Sequence, residues 1–60
     1  MARARILIAE DEREAAEVFA EFLTMEGYEV NTAADGEAAT HMISENSYDL
    51  VLIDLVLPKA

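Results

Sequence analysis

Cysteine is absent from the sixty residues, which excludes disulfides and thiolate zinc sites and fits a reducing compartment. Histidine occurs once, at His41, so a histidine-rich metal cage is excluded too. Basic residues are scarce: four Lys/Arg stand against thirteen Asp/Glu, a net charge of −9. Sequence-independent nucleic-acid binding depends on Lys and Arg neutralising phosphates, so no nucleic-acid partner of that kind is expected. Adhesion to an anionic membrane is disfavoured for the same reason. Long hydrophobic runs are missing as well. The stretch 6–9 is far too short for a signal-peptide core, and no apolar run approaches the ~20 residues of a membrane span. A soluble cytoplasmic protein is expected.

What is present suits a folded chain, since 53% of the residues are hydrophobic. At this length a domain buries only about 60% of the surface its unfolded chain exposes, so a staple or a partner would help it. No repeat or linker divides the sequence. It stops just after its most hydrophobic segment, which leads us to expect a fold completed by something else.

Ile6, Leu7, Ile8 and Ala9 form an unbroken apolar run that turns acidic at Glu10, the pattern of a strand covered on both faces. From Arg13, residues Ala15, Ala16, Val18, Phe19, Phe22 and Leu23 recur at helical spacing, with Glu14, Glu17 and Glu21 opposite. Gly27 is a natural stop. Tyr28, Val30 and Thr32 alternate with Glu29 and Asn31, as in an edge strand with one polar face. Asp35-Gly36 turns the chain into a second helix whose narrow apolar stripe is Ala38, Ala39, Met42 and Ile43, and Asn46 can end it. The stretch 49–57 is again strand-like, interrupted by one carboxylate, Asp54, and closed by Pro58. The order β-α-β-α-β predicts parallel strands with right-handed crossovers, in spatial order 2-1-3.

In such sheets ligands bind beyond the carboxyl ends of the strands, where the strand order reverses. That switch lies between the first and third strands, so Glu10, Asp11 and Asp54 are expected to converge. Two like charges ~4 Å apart repel by roughly 4 kcal/mol at an effective dielectric near 20, and a divalent cation removes the repulsion. Hard oxygen ligands suit Mg²⁺, and a carboxylate beside it can act as a nucleophile toward phosphorus. Each residue has a plainer reading. Asp11 with Glu14 can form a capping box at the first helix, Glu10 can be a solvated strand end, and His41 can lie on the surface. Asp54 is harder to dismiss, because four apolar residues precede it and three follow, and unpaired burial is costly.

The segments that carry a family likeness are Arg5-Ile6-Leu7-Ile8-Ala9-Glu10-Asp11-Glu12, Gly27-Tyr28-Glu29-Val30, Ala34-Asp35-Gly36-Glu37-Ala38, and the run from Tyr48-Asp49 through Asp54-Leu55-Val56-Leu57-Pro58. In this order and spacing the sequence resembles the N-terminal half of a two-component response-regulator receiver domain, most of all the subfamily with winged-helix DNA-binding effectors. The resemblance implies that Asp54 is the phosphoacceptor, served by a sensor histidine kinase or a small acyl phosphate. It also implies that Glu10, Asp11, Asp54 and the backbone carbonyl of Val56 bind Mg²⁺. Glu10 stands where many receivers have Asp. Two further strands, a Ser/Thr and a Lys belong to the family pattern and lie outside these sixty residues; Lys59 is not that Lys. The whole chain, 1–60, is therefore expected to be a truncated flavodoxin-like receiver without an effector domain, completed by homodimerisation. An enzyme in the ordinary sense is not expected. Two other readings are a non-phosphorylated dimerising interaction protein and an inactive receiver fragment.

Overall fold

The computed structural model describes residues 3–54, with side chains described through residue 53. The elements are β1 (Arg5–Glu10), α1 (Arg13–Met25), β2 (Glu29–Ala33), α2 (Gly36–Glu45) and β3 (Leu50–Asp54). All pairing is parallel, and the sheet order is β2-β1-β3, as the alternating pattern predicts. Central β1 explains its own composition. Residues 6–10 are all buried, because each face of the strand is covered, and a polar alternation would strand unpaired groups there.

One side of the sheet packs α2. Leu7 and Ala9 of β1, Ala33 of β2 and Ala39 of α2 form the buried cluster, ringed by Ala38, Met42, Tyr48 and Val51. The small residues at three of its four positions let the helix approach the sheet closely. α1 lies across the other side, over β1 and β2, with Ala16 as its buried contact.

Local signals set the helix ends. α1 closes in a Schellman motif: Tyr28 N–H donates to the Leu23 carbonyl at 3.1 Å and Gly27 N–H to that of Thr24 at 3.0 Å. Gly27 takes φ +100°, which costs it little because it has no Cβ. α2 opens on Asp35, whose Oδ1 accepts from Ala38 N–H at 2.7 Å. It ends at Asn46, whose side chain and backbone N–H both donate to the Met42 carbonyl.

Three expectations change. The first helix is not capped by Asp11: its N-cap residue is Glu12, and no side chain makes the cap bond, because β1 continues through Glu10 and leaves Asp11 before the cap. Val18 and Phe22 do not face the sheet. With Met25, four and then three residues further along, they form an outward apolar stripe. The polar face of β2 is not simply outward either. Asn31 turns half-buried toward α2's side and donates to the Tyr48 hydroxyl at 2.9 Å, which satisfies its amide.

Candidate functional site

The C-terminal edge of the sheet is built from the ends of β1 and β3 and the start of α1. In the β1–β3 register, Glu10 is the Cα partner of Asp54, so strand order alone brings these two positions side by side. The side chain of Asp54, and all of Val56, lie outside the described residues. Glu10 is 4% exposed and is the one buried charged residue among those described. Its Oε1 accepts the backbone N–H of Glu12 at 3.0 Å, which fixes the carboxylate at the mouth of α1. The plain reading of Glu10 as a solvated strand end therefore falls. Asp11 follows it and is exposed to solvent.

Beside this edge, between the ends of β1 and β2, runs an open cleft of about 320 Å³ lined by Glu10, Asp11, Arg13, Thr32, Ala33 and Ala34. Arg13 is the cation among its described lining residues, and its Nε sits 3.5 Å from Glu17 Oε1 one helical turn along.

The donor set at this edge is all oxygen, with one carboxylate buried and one in solvent, which is the chemistry a hard divalent cation takes. Among the described residues no group of three potential metal-ligating side chains comes together. The third carboxylate of the expected set is that of Asp54, whose backbone alone is described. His41 takes no part. It lies on the solvent face of α2, with Nε2 2.6 Å from Glu45 Oε1.

At the opposite end of the sheet stands a polar cluster that the sequence does not announce. Arg5 N–H donates to Asp49 Oδ2 at 2.7 Å, and Asp49 N–H returns a bond to the Arg5 carbonyl at 2.8 Å. The Arg5 guanidinium lies 5.3 Å from the Tyr48 ring centroid, and its Nε is 3.7 Å from Glu29. The cluster joins the first residues of β1 and β2 to the loop entering β3. Its signal in the sequence is slight: a lone Arg opening β1 and an Asp just before β3.

Residues 6–60 match the family model described as the response regulator receiver domain. Similar curated proteins are the transcriptional regulatory proteins DltR of Streptococcus agalactiae, 44% identical over 92% of this chain and 25% of its own length, and CpxR of Escherichia coli, 42% identical over 92% and 23%. TcrA of Mycobacterium tuberculosis, another transcriptional regulatory protein, is 43% identical over 90% of this chain and 21% of its own length. A similar solved structure is the response regulator protein TrrA of Thermotoga maritima in complex with Mg²⁺–BeF. It superposes with a TM-score of 0.85 at 42% identity, over 92% of this chain and 48% of that one. The sixty residues thus span about a quarter of the curated relatives they match and about half of that solved chain.

Proposed function

From the premise that this chain belongs to the response-regulator receiver family, we propose that it is a Mg²⁺-dependent phosphoacceptor module of two-component signalling, with Asp54 as the acceptor. The observation that carries the reading is the register pairing of Glu10 with Asp54 at the C-terminal edge of the sheet. In the transfer, a carboxylate oxygen of Asp54 forms a bond to phosphorus as the bond from phosphorus to the donor breaks. The donor leaves with that electron pair, as acetate from acetyl phosphate or, from a kinase phosphohistidine, as an imidazolate nitrogen that takes a proton to become neutral imidazole.

Glu10, Asp11, Asp54 and the Val56 carbonyl are the groups that would hold Mg²⁺. Bound there, the cation supplies neutralisation of charge on the transferring phosphoryl group. This chain's own contribution is positional. Buried Glu10 is fixed by the Glu12 amide, and Asp11 is exposed to solvent beside it. TrrA, at 42% identity, was crystallised with Mg²⁺–BeF, which supports the same cofactor here. The partner on this reading is a sensor histidine kinase, and the compartment is the cytoplasm; among the described residues no helix is long and apolar enough to cross a membrane. The module transmits a signal and does not turn over a substrate.

The same chain is proposed to form a homodimer. Leu50, Leu52 and Ile53 of β3 are exposed, and Phe19 of α1 joins Leu52 and Ile53 around an apolar hollow. Exposed apolar strands template pairing.

The test of the phosphoacceptor reading is intact-mass analysis after incubation with Mg²⁺ and acetyl phosphate. A phosphoryl adduct is expected, and it should be absent in Asp54→Ala. No adduct on folded protein at saturating Mg²⁺ would refute the reading.

A further inference from the structure

The cleft beside the acidic edge contains a charge that the proposed metal site does not use. Arg13 shares its lining with Glu10 and Asp11, although the molecule carries a net charge of −9 that repels any anionic phosphoryl donor. Of the other cations among the described residues, Arg3 precedes β1, and Arg5 begins it and is engaged with Glu29 and Tyr48 at the far end of the sheet. The five-residue rise from Arg5 to Glu10 separates that end from the site by roughly 17 Å, beyond a Debye length at physiological salt. Among the described side chains, relief of the repulsion beyond what Mg²⁺ would supply therefore falls to Arg13.

Its surroundings leave it available. The side chain is 92% exposed, and its contact with Glu17 is an exposed pair one helical turn apart, a class of ion pair that is weak and easily exchanged. Beyond that weak pair no structural role competes among the described contacts. Arg13 is the first residue of α1, where the helix dipole disfavours a cation, so its charge does not stabilise the fold there.

We propose that Arg13 is the anion-docking residue for a small acyl-phosphate donor, engaging its phosphoryl oxygens in the cleft before transfer; the inference rests on the phosphoacceptor reading of Asp54. Arg13 on this view sets donor affinity and leaves the transfer step itself to the carboxylate edge.

The experiment measures labelling of the full chain by acetyl phosphate at fixed Mg²⁺, across donor concentrations, for wild type, Arg13→Gln and Arg13→Lys. The glutamine variant should need roughly threefold to tenfold more donor for half-maximal rate, with the saturating rate unchanged. Lysine should restore most of the loss. At about 0.5 M salt, where the Debye length is roughly 4 Å, the gap should shrink. Equal donor dependence in wild type and Arg13→Gln, or a loss confined to the saturating rate, would overturn the proposal. A second measurement needs no transfer: titration of inorganic phosphate at constant Mg²⁺, followed by the amide resonances of Ala33 and Ala34. Shifts should saturate in wild type and weaken in Arg13→Gln, and identical titrations would overturn the proposal. An unlabelled wild type would refute the Asp54 reading, while this titration still decides for or against Arg13.

Discussion

Glu10 of β1 and Asp54 of β3 are direct register partners in a parallel pair, so residues far apart in sequence stand together where the strand order reverses. Glu10 is buried there, with its position fixed by the Glu12 amide. A buried carboxylate beside further carboxylates costs stability until a cation or a proton compensates it. On the proposed reading, in which Asp54 joins Glu10 at this edge, the metal-free protein should carry a measurable electrostatic penalty there.

Glu10→Gln keeps the acceptor for the Glu12 amide and removes the charge. In EDTA it should be more stable than wild type by on the order of 1–2 kcal/mol, less than the roughly 4 kcal/mol of a close pair at an effective dielectric near 20, because the neighbouring Asp11 is in solvent and screened. For a chain of this size that is about 8–16 °C in melting temperature. Saturating Mg²⁺ should then stabilise wild type more than the variant. Thermal melts with and without Mg²⁺ check both; a variant less stable than wild type in EDTA would show that the Glu10 charge is already compensated within the fold.

The bond from Asn31 to the Tyr48 hydroxyl ties an edge strand to the loop entering β3. Tyr48→Phe keeps the ring that Arg5 overlies and removes only the hydroxyl. It should cost about 1–2 kcal/mol, because a half-buried amide loses its partner. Asn31→Ala should cost a similar amount, and the double variant should cost clearly less than the sum. Urea denaturation of the four proteins measures the coupling, and strict additivity would dissolve the link.

These cases show what was legible beforehand. The unbroken apolar run of β1 identified a strand covered on both faces, and the Asp35-Gly36 and Gly27 signals marked helix ends, because each depends on residues close in sequence. Strand order needed chain connectivity together with the contrast between the two unbroken apolar strands and the amphipathic β2, and it carried the meeting of Glu10 with Asp54. The inward turn of Asn31 was not legible, since its reason is a hydroxyl seventeen residues away. Nor was the outward stripe of Val18, Phe22 and Met25: helical periodicity finds apolar residues without saying which of them the sheet has room to cover. The Arg5 cluster was missed for the same cause, because Asp49 and Tyr48 come near Arg5 only through β1–β3 pairing.

At Gly27 a substitution should act through the backbone alone. An added Cβ meets nothing within 4 Å, so the cost of Gly27→Ala comes from φ +100°. About 1 kcal/mol or somewhat more is expected. Gly27→Asn should be milder, since Asn tolerates the left-handed region. Denaturation midpoints rank the three proteins, and an alanine variant as stable as wild type would show that the Schellman turn relaxes to negative φ.

The proposed homodimer depends on apolar surface that β3 and α1 leave in water. Ile53 is 68% exposed and Leu52 39%, and a charge at either position should be tolerated by the monomer yet oppose burial against a second copy. Sedimentation equilibrium at micromolar concentration should give a dimer for wild type, with Leu52→Lys and Ile53→Lys each weakening association at least tenfold, or about 1.4 kcal/mol. The outer stripe of α1 separates two geometries. If Met25→Lys also dissociates the dimer, the helices form the contact; if only the β3 variants do, the strands do. A folded wild-type monomer over the same range would exclude both, and would mean that these leucine and isoleucine side chains stay in water without a second copy to cover them.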